Sequence, residues 1–365
     1  MTRGRAGLIS CSCDFELPDD ERPARPAPIG LVCAGFAFAV LSQALAFAAL
    51  PLAGAALAPS QGAAALPVAI LLAGAAAATF PASFLTGLFG RRSSFALGAS
   101  LGVAGAAIAA WSLYAGAFPA LCLGAFWLGA AQGFGLYYRH SVGADPRAAA
   151  LVLGAGALAA FAAPGVAALS REALGPLAPA GALIGAGLAQ LCVLALAAPL
   201  PSGFEAPDVG APERRDLSRY AVVTLAAALA WFGMMVLMAG APLVMASCGL
   251  GLGAAAGAVS WHLLAMYAPA ALAGAFGLRP RPVAGVAAGL VLLALAVAAL
   301  PAQVSAAGFD LALIVGGAGW SLATLGATQW LHRGAGVSRA LLALHDCALF
   351  CAAVLGALSA ATLRG

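Results

Sequence analysis

The sequence predicts an all-α protein that crosses a lipid bilayer many times. Three observations carry this expectation. Only 8% of the 365 residues are charged and 63% are hydrophobic, against roughly 25% charged in an average soluble domain. The mean hydropathy is +1.00. Apolar runs close to the ~20 residues needed to cross a hydrocarbon core recur along the whole chain, and a segment in that solvent must close its own backbone hydrogen bonds, as a helix does. The apolar residues are mostly Ala and Gly, with 46 glycines. Small side chains let helix backbones approach closely where lipid removes the hydrophobic drive for association.

The elements follow in order. Residues 1–30 hold Asp14, Glu16, Asp19, Asp20, Glu21 and several prolines, and read as a disordered cytoplasmic tail. Apolar spans are expected at 31–54, 65–89, 95–115, 118–138, 148–168 and 178–199. A polar stretch, PSGFEAPDVGAPERRDLSRY, then interrupts them. Further spans are expected at 221–245, 254–277, 283–301, 310–331 and 340–361. The organisation is a six-helix half (31–199), a cytoplasmic linker (200–220), a five-helix half (221–361) and a short tail (362–365).

Arginine placement orients the spans. All 17 basic residues are arginine. Numbering segments from the N-terminus, one alternating set holds all of them except Arg171 and Arg364. By the positive-inside rule that set is cytoplasmic, so the N-terminus lies inside and, after eleven spans, the C-terminus lies in the periplasm. The formal charge of +4 therefore reflects topology, and no nucleic-acid partner is expected. The tight basic turn GLFGRRSSF (87–95) follows the second span of the first half, and AFGLRPRPV (275–283) follows the second span of the second half. Two parallel pseudo-repeats joined by a cytoplasmic segment form a transporter architecture, with binding near the midplane between them.

On these residues the chain resembles the major facilitator superfamily. The family's loop between helices 2 and 3 has the form G-x-x-x-D-R-x-G-R-R. Gly90, Arg91 and Arg92 match its end, whereas Gly87 and Leu88 stand where the Asp and Arg would be and Ser83 replaces the first Gly. The segments SWHLLAMYAP (260–269), GAGWSLATLGAT (317–328), LLALHDCALF (341–350) and YYRHSVGADPRAAALVLGAGALAAFAAPGV are similar to a bacterial inner-membrane subgroup that includes proposed riboflavin importers. The resemblance implies a major facilitator-type bundle with helix 12 missing. Helices 1, 4, 7 and 10 would line a central cavity and helices 2, 5, 8 and 11 would flank it. A gate would sit at Gly90, Arg91 and Arg92, and a flavin-like solute is one candidate cargo.

Several residues within spans are candidates for transport chemistry. His262 lies roughly 12 Å along span 8, near the midplane, and an ionisable group at that depth defaults to a functional reading. It contacts solute or handles protons, or it is a neutral histidine bonded to a neighbouring helix. Asp346, beside His345, either couples proton flux to the cycle or pairs structurally with Arg333 or Arg339. Ser321, Thr324 and Thr328 share one face of span 10 and, with Trp320, are candidate solute ligands; the alternative is that each hydroxyl bonds back to its own helix. Gln43 and Gln132 are amides on cavity-lining spans, with interhelical bonding as the alternative role. Trp231, Met234, Met235, Met238 and Met266 offer soft contacts for a flat ligand, or simply pack.

The eight cysteines, including Cys347 and Cys351 at i, i+4, lack metal-site partners and read as small core residues. No nucleotide-binding loop, zinc spacing or nucleophile–base pair is present, so neither an enzyme nor a cofactor or metal is expected. The expectation is a monomeric secondary transporter in the bilayer of the bacterial inner membrane. It would move a small organic solute by alternating access, with protons as the candidate coupling ion. An efflux pump for hydrophobic compounds and a non-transporting membrane scaffold are the alternatives.

Overall fold

The computed structural model describes residues 28–142, 145–201, 214–333 and 337–360. Among them there is no strand, and the long elements are α1 (Ile29–Leu57), α2 (Leu66–Ala115), α3 (Phe118–Leu136), α4 (Pro146–Ala155), α5 (Ala157–Leu174), α6 (Ala178–Ala197), α7 (Arg214–Ser247), α8 (Leu252–Ala275), α9 (Pro282–Ala299), α10 (Ala306–Leu331) and α11 (Arg339–Ser359). The expectations for residues 1–27, 202–213 and 361–365 fall outside the described residues.

Among the described residues, nine continuous helical runs are long and apolar enough to cross a membrane, where the sequence suggested eleven spans. The difference arises because two runs, of 55 and 52 residues, fold back on themselves. In α2 the break is Gly90, at φ 77° and ψ 170°, a backbone region that is essentially glycine-only. The Ser94 hydroxyl donates to the Ala82 carbonyl at 3.2 Å. In a straight helix those residues would be about 18 Å apart along the axis, so α2 is a hairpin of two antiparallel arms. The second run folds back at Gly175, where φ is 52°, and brings Ser170 against Gly181.

Two boundaries differ from the sequence reading for local reasons. Residues 214–220, expected as linker, form about two turns of α7, because Arg and Leu are good helix formers and polar turns can project beyond the apolar layer. The stretch expected as span 5 divides at Gly156 into α4 and α5. The Asp145 side chain caps α4 by accepting from the Arg147 backbone N–H at 2.9 Å, with Pro146 at the first helical position, where a missing N–H costs nothing.

Glycine surfaces set the close packing. A Cβ at Gly105 would sit 2.6 Å from the Leu128 nitrogen, and one at Gly124 the same distance from the Gly105 oxygen. Thus α2 and α3 are in backbone contact, as are α9 and α10 around Gly289 and Gly319. Helices α1–α6 pack among themselves, and so do α7–α11; α11 lies against α2, and α8 lies against α4 and α5. Chain alternation places the Arg91–Arg92 turn, the end of α3, the start of α4 and the start of α11 at one end of the bundle, called here the basic end.

Candidate functional site

Two clusters form where the first and second halves of the chain meet. The first is a row of aromatic rings. Phe36 of α1 meets Tyr267 of α8 edge-on at 6.2 Å, and Tyr267 meets Trp320 of α10 at 5.7 Å. Trp320 lies 5.6 Å from Trp231 of α7, which in turn contacts Phe350 of α11 at 5.2 Å. All five side chains are buried. The indole N–H groups of Trp231 and Trp320 and the hydroxyls of Ser321 and Thr324 have no protein partner. Buried donors are ordinarily paired.

The second cluster is ionic and lies nearer the basic end. Asp346 is seven residues into α11, about 10 Å along its axis. Its Oδ1 accepts from the Arg139 guanidinium at 2.5 Å and contacts the His140 Nε2 at 3.3 Å. The His140 Nδ1 lies 2.9 Å from the His332 Nε2. His345, next along α11, contacts the Thr224 hydroxyl of α7 through Nδ1 at 2.9 Å, and its Nε2 has no protein partner. Arg139, His140, His345 and Asp346 are buried and His332 is half-buried. Asp346 therefore pairs across the seam with Arg139, not with Arg333 or Arg339 as its place near the basic end suggested.

The remaining sequence candidates are distributed around these clusters. His262 is fully buried and its Nδ1 donates to the Leu313 carbonyl of α10 at 2.7 Å. That bond fixes the Nδ1–H tautomer of the neutral ring and leaves Nε2 as an acceptor, buried and without a protein partner. Of the three span-10 hydroxyls only Thr328 bonds back to its helix, to the Thr324 carbonyl at 2.8 Å. Met235 and Met266 are buried. Gln43 is half-buried, and the buried Gln132 Oε1 lacks a protein partner. Gly90 is buried, Arg91 half-buried and Arg92 exposed. Of the two cysteines at i, i+4, Cys347 is half-buried and Cys351 is exposed.

Sequence reasoning passed over Arg139, His140, His332, Tyr267 and Phe350. One signal was available for the ionic cluster. The Arg139–His140 pair closes span 4 and the His345–Asp346 pair opens span 11, which puts opposite charges at the same end of two spans.

No family profile matches the chain. The chain is 31% identical over 286 residues to the riboflavin transporter RfnT of Brucella anthropi, an alignment covering 72% of this chain and 70% of that protein. Among solved structures, a double-tryptophan mutant of XylE is similar with a TM-score of 0.67 at 15% identity, over 90% of this chain and 86% of that one. The human organic anion transporter MFSD10 gives 0.62 at 17% identity, over 92% of each chain. The Escherichia coli fucose:proton symporter FucP gives 0.62 at 15%, over 92% and 90%. At such identities the structures speak for the fold alone. Together with the RfnT relationship they identify the chain as a multi-pass membrane protein that belongs to the major facilitator superfamily of transporters.

Proposed function

We propose that the protein is a secondary transporter that moves a flat, flavin-like solute across the inner membrane by alternating access between its two halves. The observation that carries this reading is the buried row of rings from Phe36 to Phe350, together with the two unpartnered indole N–H groups. An isoalloxazine is a planar, polarisable tricycle with carbonyl acceptors on one edge. It is recognised by aromatic contacts combined with a few N–H donors, and the row holds aromatic rings with two such donors. The 31% identity to a riboflavin transporter supports the same solute class. Ser321 and Thr324 are assigned to the solute's polar groups, and Met235 and Met266 to its apolar edge. Gln43, Gln132 and Thr328 are assigned to the outer parts of the same site.

Proton coupling is assigned to Asp346, with His262 as a second group whose Nε2 is open to a donor. The test is uptake of labelled riboflavin into vesicles containing the purified protein, with and without an imposed proton gradient. Uptake that responds to the gradient is expected. Trp320→Ala should raise KM about two- to tenfold, from loss of a stacking contact worth about 0.5–1.5 kcal/mol beyond its area, and Trp320→Phe should retain most of the affinity. Absence of riboflavin movement in either direction, or a Trp320→Ala variant with parental KM, overturns the assignment.

A further inference from the structure

The ionic cluster contains more than an ion pair. Arg139 and Asp346 alone cancel in charge, yet three imidazoles surround them from three elements: His140 after α3, His332 at the end of α10 and His345 on α11. Two of these rings are joined nitrogen to nitrogen at 2.9 Å, and the chain of contacts runs His332, His140, Asp346. Only His332 is half-buried; the groups beyond it are sealed in the seam. The arrangement is a relay with one outward end.

We propose that the His140–His332 pair is a proton-binding site whose occupancy decides whether the basic-end seam between the halves closes. The proton balance is direct. The His140 Nε2 lies 3.3 Å from both the Arg139 Nε–H and the Asp346 Oδ1, so it accepts from the first or donates to the second; in the tautomer that donates to the carboxylate, its Nδ1 accepts from the His332 Nε2–H. An incoming proton binds Nδ1 of His332. The Nε2–H bond of His332 then breaks as the proton passes to Nδ1 of His140. His140 is left as an imidazolium beside Arg139 and Asp346, and His332 is neutral again with its proton on Nδ1.

The consequence follows from charge. Before uptake the sealed cluster is neutral overall, and after it the cluster carries one net positive charge. Burying an uncompensated charge costs several kcal/mol in a low-dielectric setting, and water entering an opened seam relieves that cost. Among the described residues Asp346 is the only carboxylate that acts on the pair. Tyr137 presents its ring to His140 at 5.6 Å and His345 lies 6.4 Å from it; Tyr220 presents its ring to His345 and donates its hydroxyl to the Leu341 carbonyl, and Thr224 contacts His345. Arg339, at the start of α11, lies over Gly87 on α2. Burial lowers both His140 and His332 from the ordinary histidine value, His332 to about 3. The closed seam therefore binds fewer protons than the open one, and acidification through the ordinary histidine range, near about 6.5, favours opening.

Hydrogen–deuterium exchange of the full chain, without solute, tests this independently of which molecule is transported. Exchange in segments 134–142 and 339–350, corrected for the intrinsic pH effect, should rise as pH falls from about 8 to about 5.5. For one linked proton the open-to-closed ratio changes by up to about tenfold per pH unit. His332→Gln and His140→Gln should each flatten that response, and Asp346→Asn should raise exchange in these segments at every pH. Two separate histidine replacements keep the test decisive where one disturbs folding, which would show as raised exchange in α1 and α9. A parent protein whose seam exchange is independent of pH, or a folded histidine variant that keeps the full pH response, overturns the proposal.

Discussion

Asp346 and Arg139 are 207 positions apart in the chain, and this separation sets what a sequence can disclose at the residue scale. An ionisable group inside an apolar run is conspicuous by itself, so His262 and Asp346 were legible as residues that need a partner. Which partner they find is decided by tertiary packing, and neither Leu313 nor Arg139 is near in sequence. Similarly, span 10 displayed three hydroxyls with equivalent local options, but only Thr328 takes the backbone bond. His262→Ala removes one buried hydrogen bond between α8 and α10, worth about 1 kcal/mol, and should lower the thermal midpoint in detergent slightly. We expect it also to reduce transport. A variant that inserts normally and transports at the parental rate from about pH 6 to about pH 8 would leave His262 with a packing role only. Arg139→Gln acts more strongly, because it leaves the buried Asp346 carboxylate without its counter-ion, a loss of about 3–5 kcal/mol for a sealed pair. It should appear as a clear drop in thermal stability, larger than that of His262→Ala.

Helices, as elements, were largely visible in the sequence, since hydropathy and breakers report them directly. Their joints were less so. The break inside span 5 and the early start of α7 depend on caps and propensities too weak to read against an apolar background. The α2 hairpin contacts α11 in a way the family motif only partly suggests. Ser83 donates to the Arg339 carbonyl at 2.8 Å, and a Cβ at Gly87 would come within 2.6 Å of the Arg339 Nη1. The bare glycine thus makes room for a guanidinium at the place where the resembled motif carries an Asp. Gly87→Ala should be tolerated, because the atoms in the way are the mobile end of a long side chain. Gly87→Asp would face Arg339 with a carboxylate, adding up to about 1 kcal/mol of attraction at the basic end. It should therefore slow solute turnover severalfold without changing KM, as measured in the vesicle assay. Equal turnover would show that α2 and α11 do not separate at this point in the cycle.

For the whole molecule, composition and arginine placement were enough to indicate a polytopic bundle, because the bilayer leaves few ways to satisfy a backbone. How the halves meet was not readable, since the glycine contacts and the ring row depend on faces that an apolar helix does not mark. Orientation in the membrane is our proposal, and the protein carries its own probe for it. Cys248 is exposed at the α7–α8 turn, opposite the basic end. A membrane-impermeant maleimide added to cells with a permeabilised outer membrane should label the parent chain and fail to label Cys248→Ser. Labelling of Cys248 only after the inner membrane is disrupted would invert the topology.

Gly90 has a mechanical consequence for such a molecule. The two arms of α2 are joined by a single non-helical residue and pinned by the Ser94–Ala82 bond, so the connection has almost no play. One arm cannot slide or rotate against the other without breaking the hairpin. Any displacement imposed at its tip by α11 is transmitted to both arms, and through their glycine-to-backbone contacts to α3. Flexible residues inserted beside Gly90 should leave both arms in the membrane while introducing backlash, so that a motion begun in one half of the protein is absorbed before it reaches the other.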